Sequence, residues 1–411
     1  MKRNQLRRTV YRTAFMVPVL LLAAGVTPQA RADQAHRQTV YDVTNLASLG
    51  GTASGGSSVN NRGWIAGFSN LSGDQTRHAT LWRDRSTVDL GTLGGPNSSV
   101  VWPVKNNRGV IAGIAETAEI DPLGEAWSCS AFFPGEPTGH TCLGFVWESG
   151  EMRALPTLGG NNGFATGVNK RGQVVGWAEN TVQDPTCNPP QVLQFRAVIW
   201  GPREGRIQEL PPLPGDTVTA ATAINDRGQV VGISGICDNA VGRFSARHAV
   251  LWDNGTVTNI GNLGGVAWHT PMAVNHRGEV VGFSNLPGDE GGRFKAHAFL
   301  WTERDGMIDL GTLPGDTTSQ ALGINARRQV VGLSCGASGC RAFLWEDRVM
   351  TDLNTLVAPG SAGHLVSAGD INDAGVITGE ALDQETGESL AFVATPIRGH
   401  GKASTAAEQA R

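Results

Sequence analysis

Val274-Asn275-His276-Arg277-Gly278, followed by Glu279-Val280-Val281-Gly282, is one of seven copies of a single phrase. The other copies turn on Asn60, Asn106, Asn169, Asn225, Asn325 and Asn372, so that the seven asparagines lie 46, 63, 56, 50, 50 and 47 residues apart. Each phrase leads into a short apolar run ending in Gly, such as Val230-Val231-Gly232. Repeats of roughly 40 to 60 residues signal an array of one supersecondary unit.

Around the phrase, each unit holds four strand-length pieces. In the fifth unit these are Ala267 to Val274, Glu279 to Ser284, His297 to Trp301 and Met307 to Leu310. All are apolar or β-branched and bounded by Gly, Asn, Asp or Pro. Asn at the first turn position and Gly at the fourth predict a type I hairpin with the Gly left-handed, so the first two pieces pair antiparallel. Four short strands repeated seven times predict an all-β chain folded as a seven-bladed β-propeller. Arg328 stands where the other six phrases have Gly, which predicts a non-Gly residue at positive φ or a remodelled turn.

The ends of the repeat region support closure. Tyr41 to Leu46, followed by Leu49-Gly50-Gly51, resembles a fourth strand with its exit loop, as in Asp89 to Gly95. The last unit stops after Leu390 to Ala394, a third strand without a fourth. An N-terminal strand over Val40 to Leu46 therefore completes the last blade and leaves no open edge. This gives a propeller over residues 33–395 and a disordered tail over 396–411.

The composition agrees. Fifty-five glycines and 17% charged residues argue against long helices, and 40% hydrophobic residues argue against disorder. Residues 1–32 read as a signal peptide: Lys2, Arg3, Arg7, Arg8 and Arg12 precede the apolar run Ala14 to Val26, and Ala30-Arg31-Ala32 offers a cleavage site. The expected location is thus periplasmic or secreted, and no later run is long enough to span a membrane. Removing the six basic residues of 1–32 from the chain's 33 leaves 27 against 37 acidic ones, net −10. Nucleic acid is a poor partner for such a chain, since no basic stripe remains to meet phosphate.

Export places six cysteines in an oxidising compartment, where disulfides are the default. Cys335 and Cys340 flank one hairpin, and Cys129 and Cys142 share one insertion. Cys187 and Cys237 are left to bridge neighbouring blades.

His78-Ala79-Thr80-Leu81-Trp82, His248-Ala249-Val250-Leu251-Trp252, His297-Ala298-Phe299-Leu300-Trp301 and Arg341-Ala342-Phe343-Leu344-Trp345, with the Asp309 to Leu313 loop, resemble the bacterial extracellular HAF-repeat family. The resemblance covers nearly all of the chain after its leader. It implies an exported repeat protein of propeller type, with no assigned reaction or catalytic residues. Gly144, Leu390 and Arg328 depart from the pattern.

Several recurring motifs have plainer readings. Trp82, Trp147, Trp200, Trp252, Trp301 and Trp345 end third strands, where packing between blades accounts for them better than sugar stacking. His78, His248 and His297 sit at equivalent places in different blades, too far apart to share a zinc ion, and are expected to cap hairpins or bond the backbone. Gly332-Leu333-Ser334-Cys335-Gly336 matches a hydrolase elbow, but a strand rather than a helix follows it. The Gly-rich loops lack the ending of a phosphate loop. No cofactor, metal site or catalytic residue is expected.

The irregularities point to function. Insertions over Ala115 to Leu143, Ala178 to Gln194 and Ile233 to Ala246 fall between second and third strands of adjacent blades, on one rim that also holds the cysteines. Loops on a rigid scaffold are where binding usually resides. Trp127, Phe132, Phe133 and His140 in the first insertion, with Trp268 and His269 near the axis, form a candidate ligand-binding set. These aromatics either face solvent or fold into a small satellite core. The expected function is a non-catalytic scaffold binding a glycan or an extracellular protein on this face. A glycan-active hydrolase or lyase using Asp121, Glu125 and Glu136 is the first alternative, and a purely structural envelope protein is the second.

Overall fold

The Asn phrase builds the same turn each time. In the fourth copy the Gly228 amide bonds the Asn225 carbonyl at 3.0 Å, and Asn225 Oδ1 accepts from the amides of Arg227 and Gln229. The asparagine thus caps its own hairpin, which explains its recurrence. Gly228 sits at φ 92° and Arg328, at the equivalent place, at φ 64°, as the sequence predicts. The Gly ending each apolar run has a separate cause: a Cβ on Gly232 would collide with the Ala220 carbonyl oxygen on the facing strand.

The computed structural model describes residues 39–397, apart from 105, 126–128, 130, 204, 239–241 and 361–362. The chain is all-β and β-propeller-like, made of four-stranded antiparallel sheets in meander order. The first runs Gly50–Val59, Ile65–Leu71, Arg77–Arg83, Ser86–Asp89, and the second Gly94–Ser99, Ile111–Ile120, His140–Glu148, Glu151–Ala154. The third is Gly159–Val168, Val174–Gln183, Leu193–Trp200, Ile207–Glu209. The fifth is His269–Val274, Val280–Asn285, Ala296–Thr302, Gly306–Gly311, within two residues of the expected bounds. The last group, His364–Ile371, Ile377–Leu382 and Ser389–Pro396, takes Tyr41–Asn45 as its fourth strand. Tyr41 faces Pro396 and Asn45 faces Phe392 in that antiparallel pair. A single parallel bridge, Ala53 to Ser389, joins this group to the first sheet.

Neighbouring sheets are tied at the turns. Each phrase asparagine donates its side-chain amide to the backbone carbonyl of the next one, at 3.0 to 3.2 Å, from Asn60 through Asn372 and back to Asn60. The third-strand tryptophans pack between sheets: Trp82, Trp200 and Trp252 are 2–5% exposed, and each donates Nε1 at 2.8 Å to a carbonyl of Ala47, Pro156 or Pro211.

Three details correct the sequence reading. The strand Ser389–Pro396 runs into the segment read as tail, and the Ile397 amide bonds the Val40 carbonyl. The insertions in the second and third sheets are partly strand, because Ile111–Ile120 and Val174–Gln183 each extend to ten residues. His78, His297 and His248 bond carboxylates rather than the backbone, through Asp89, Asp309 and Asp216 at 2.8 to 3.0 Å. The segment read as a signal peptide and residues 398–411 lie outside the described residues.

Candidate anion-binding site

The residues singled out from sequence are brought together differently than expected. Trp127 lies outside the described residues. Phe132 packs its ring edge-on against Trp102 and Phe164, at 5.7 and 5.2 Å, in a cluster that also takes in Phe133, Trp177 and the Cys129–Cys142 pair. The insertion therefore folds into a satellite core. His140 begins the third strand of the second sheet opposite Ile120. His269 is 0% exposed, with Nδ1 2.8 Å from Ser284 Oγ. Burial pushes its imidazole down to about 4, so it stays neutral. Trp268, in the left-handed region at φ 58°, packs against Phe294 at 5.5 Å.

The carboxylates are also committed. Glu125 Oε1 accepts from the Val192 and Leu193 amides and pins the start of a third-sheet strand, while Asp121 Oδ2 accepts from Asn162 Nδ2 at 2.6 Å. Glu179, which nothing in the sequence marked, joins them: Gln191 Nε2 bridges Glu179 Oε1 at 2.8 Å and Glu125 Oε1 at 3.3 Å. Burial and the charge of Glu125 push Glu179 up to about 7, and burial raises Glu125 as well. Asp121, Glu125 and Glu179 are at most 5% exposed, so no substrate reaches them, and Glu136 is exposed and apart. Ser334 of the hydrolase-like motif is buried and accepts the Leu313 amide, a backbone-tethering role shared by Ser69, Ser234 and Ser284. The three disulfides Cys129–Cys142, Cys187–Cys237 and Cys335–Cys340 are those expected.

On the opposite rim, where the Asn turns lie, a cavity of about 470 Å³ opens between the second and third sheets. Its lining includes Arg108 from one Asn turn, Arg153 from the last strand of the second sheet, and Arg203 and Arg206 from an outer hairpin of the third. Arg171 also lines it but lays its guanidinium on Gly228 of the next sheet. Among the described residues, no ion pair or side-chain hydrogen bond holds the guanidinium groups of Arg108, Arg203 or Arg206, and Arg153 meets Glu148 only at 4.0 Å, half exposed.

Two local departures from the repeat create this space. The fourth residue after the phrase asparagine can reach toward the next sheet, as Gln229 does to Gly278. At Gln173, Gln229, Glu279 and Gln329 it is a polar side chain bonded to its own asparagine at 2.7 to 2.9 Å. In the second and seventh copies it is a valine, which cannot bond: Val376 packs against the cluster of Val59, Ile65, Trp82 and Ala391, whereas Val110 lines the cavity. The outer hairpin of the third sheet is also long, running from Trp200 to Ile207 with a cis Gly201-Pro202 bond, where Asp84-Arg85 suffices in the first. The result is a concave site of ligand size with an apolar floor of Val110, Val146, Leu155 and Val174 and a cationic rim. Arginine forks on separate elements suit carboxylate or phosphate oxygens. Sequence reasoning passed over it because the chain is net acidic; comparing the residues after each phrase would have drawn attention to Val110 and Val376.

No protein-family model matches the chain, and no curated protein matches it in sequence. Solved structures similar to the chain include peptidases. An uncomplexed Pyrococcus horikoshii acylaminoacyl peptidase is 10% identical, with a TM-score of 0.46 over 87% of this chain and 51% of that one. A structure from a study of two prolyl endopeptidases is 12% identical, with a TM-score of 0.46 and the same coverage. Porphyromonas gingivalis dipeptidyl peptidase 4 is 9% identical, with a TM-score of 0.34 over 80% of this chain and 45% of that one. The chain spans about half the length of each, and the likeness is one of fold alone. With Phe132 and Phe133 packed against a satellite core and His269 fully buried, the expected non-catalytic scaffold binding a glycan or protein through these residues on the insertion face is overturned. Burial of Asp121 and Glu125 removes the glycan-active alternative.

Proposed function

We propose that the chain is an exported seven-bladed β-propeller that binds an anionic ligand in the arginine-lined cavity between its second and third blades. The observation that carries the binding assignment is the convergence of Arg108, Arg153, Arg203 and Arg206 on a space lined by Val110, where four other phrase copies carry a Gln or Glu bonded to its own asparagine. Support for seven blades comes from the chain of seven Asn-to-carbonyl bonds that returns from Asn372 to Asn60, and from Tyr41–Asn45 completing the last sheet. Export and kinship with the HAF-repeat proteins rest on the basic and apolar leader and on the His-Ala-Phe-Leu-Trp phrases. Among the described residues, no helix is long and apolar enough to cross a membrane.

Calorimetric titration with inorganic phosphate and with citrate tests the assignment. One saturable site is expected for at least one of them, weakening as sodium chloride rises. The double variant Arg108→Ser, Arg206→Ser should lose at least tenfold in affinity with an unchanged melting temperature. Absence of saturable binding, or equal binding by the double variant, overturns the assignment.

A further inference from the structure

The groove between the first and second sheets shows what the neighbouring cavity lacks. There Trp64 occupies the position that Val110 holds in the next copy. The Trp64 ring has the Arg62 guanidinium 5.5 Å from its centroid and the Arg83 guanidinium at 5.2 Å. Beyond it lies Gly109, where an added Cβ would come within 2.7 Å of Trp64 Cζ3. The groove thus holds a planar ring in contact with two arginines, seated on the glycine of the following phrase. Such cation–ring contacts are favourable, more so as they are desolvated.

The second groove repeats the frame without the ring. Arg108 replaces Arg62, and Gly172 replaces Gly109 with nothing closer to its added Cβ than Pro202 Cβ at 3.9 Å. Glu148 takes the place of Arg83, while Arg203 and Arg206 come in from the long hairpin and Arg153 from the outer strand. We infer that the ligand is a planar aromatic anion, whose ring takes in the second groove the place that Trp64 fills in the first, and whose carboxylate or phosphate meets the arginine rim. This inference rests on the anion-binding reading and narrows it to a ligand class. An anion without a ring leaves the floor of Val110, Val146 and Val174 uncovered, whereas an aryl anion buries it and gains the stacking contact.

Titration of the folded chain with phenyl phosphate, cyclohexyl phosphate and inorganic phosphate at one ionic strength separates the possibilities. Phenyl phosphate is expected to bind at least tenfold more tightly than inorganic phosphate and severalfold more tightly than cyclohexyl phosphate. Val110→Trp, which installs the ring that the first groove carries, should erase the phenyl advantage and leave inorganic phosphate binding in place. Val110→Gln, which copies Gln173 of the following phrase, gives the same readout if the larger residue prevents folding. If phenyl phosphate binds no better than inorganic phosphate, or keeps its advantage in a folded Val110 variant, the aromatic class is wrong while the arginine site stands. If none of the three anions binds, both readings fall.

Discussion

Asn372 donates its side-chain amide to the backbone carbonyl of Asn60 at 3.0 Å, joining residues 312 positions apart. The same side chain caps its own hairpin, with Oδ1 accepting from the Ala374 and Val376 amides at 3.0 and 2.9 Å. Two functions therefore meet in one amide: the oxygen shapes a turn, and the nitrogen ties the last sheet to the first.

Asn372→Asp separates them, because a carboxylate still caps the turn but cannot donate across to Asn60. The residue is 3% exposed, so the lost donor leaves a buried carbonyl facing a charge. The expected cost is about 1–3 kcal/mol in a denaturant titration. Wild-type stability in this variant would mean that the closing contact contributes nothing to the fold.

Arg328 is held at positive φ, which costs of order 1 kcal/mol and on backbone grounds alone favours Arg328→Gly. Its side chain, however, pairs with Glu279 of the preceding turn, with Nε 2.8 Å from Oε1. Burial works against ionising Glu279, but hydrogen bonds from Arg328 and Asn275 and the charges of Arg328 and Arg277 outweigh it and hold the carboxyl below its ordinary value. A depressed carboxyl stabilises the fold above its unfolded pKa and loses that contribution as pH falls through the folded value. Arg328→Gly should therefore destabilise the protein at pH 7 and become neutral or stabilising once pH falls below the depressed folded value of Glu279. A stabilised variant at pH 7 would show that the pair contributes less than the strain.

The repeat was legible because its period shows in composition alone: Asn at a hairpin start, Gly at its end, and β-branched pairs between. The disulfides were legible for the same reason, since Cys335 and Cys340 face each other across a hairpin whose register the repeat sets. The candidate site was not. Val110 matters only because Gln173 and its counterparts turn back onto their own asparagines, a contact between side chains that a pattern of apolar and polar letters does not encode. Phe132 and Phe133 misled in the opposite way. As letters in a loop they suggest an exposed platform, and only Trp102, Phe164 and Trp177, from other segments, show that they are enclosed.

Glu179 provides the last test. It lies on the second strand of the third sheet, 2% exposed, and its carboxyl stands at about 7 through burial and the nearby charge of Glu125. A carboxyl raised in the folded state keeps its proton there over a range in which the unfolded chain has released it. Fewer protons are then bound in the unfolded state, and stability falls as pH rises from roughly 4.5 to beyond 7. Glu125 is raised by burial too and adds to the same slope. Glu179→Gln removes one titrating group while keeping a carbonyl oxygen to accept the Asn162 amide, now at 2.8 Å from Oε2. Denaturant midpoints at pH 5, 6, 7 and 8 should fall steadily in the unmodified chain, by roughly 1–3 kcal/mol in total, and much less steeply in the variant. The absolute stability of the variant is set by how Gln191 reorients, so the slope is the informative quantity. Parallel slopes would place the proton on another group and would mean that Glu179 stays ionised in the folded protein.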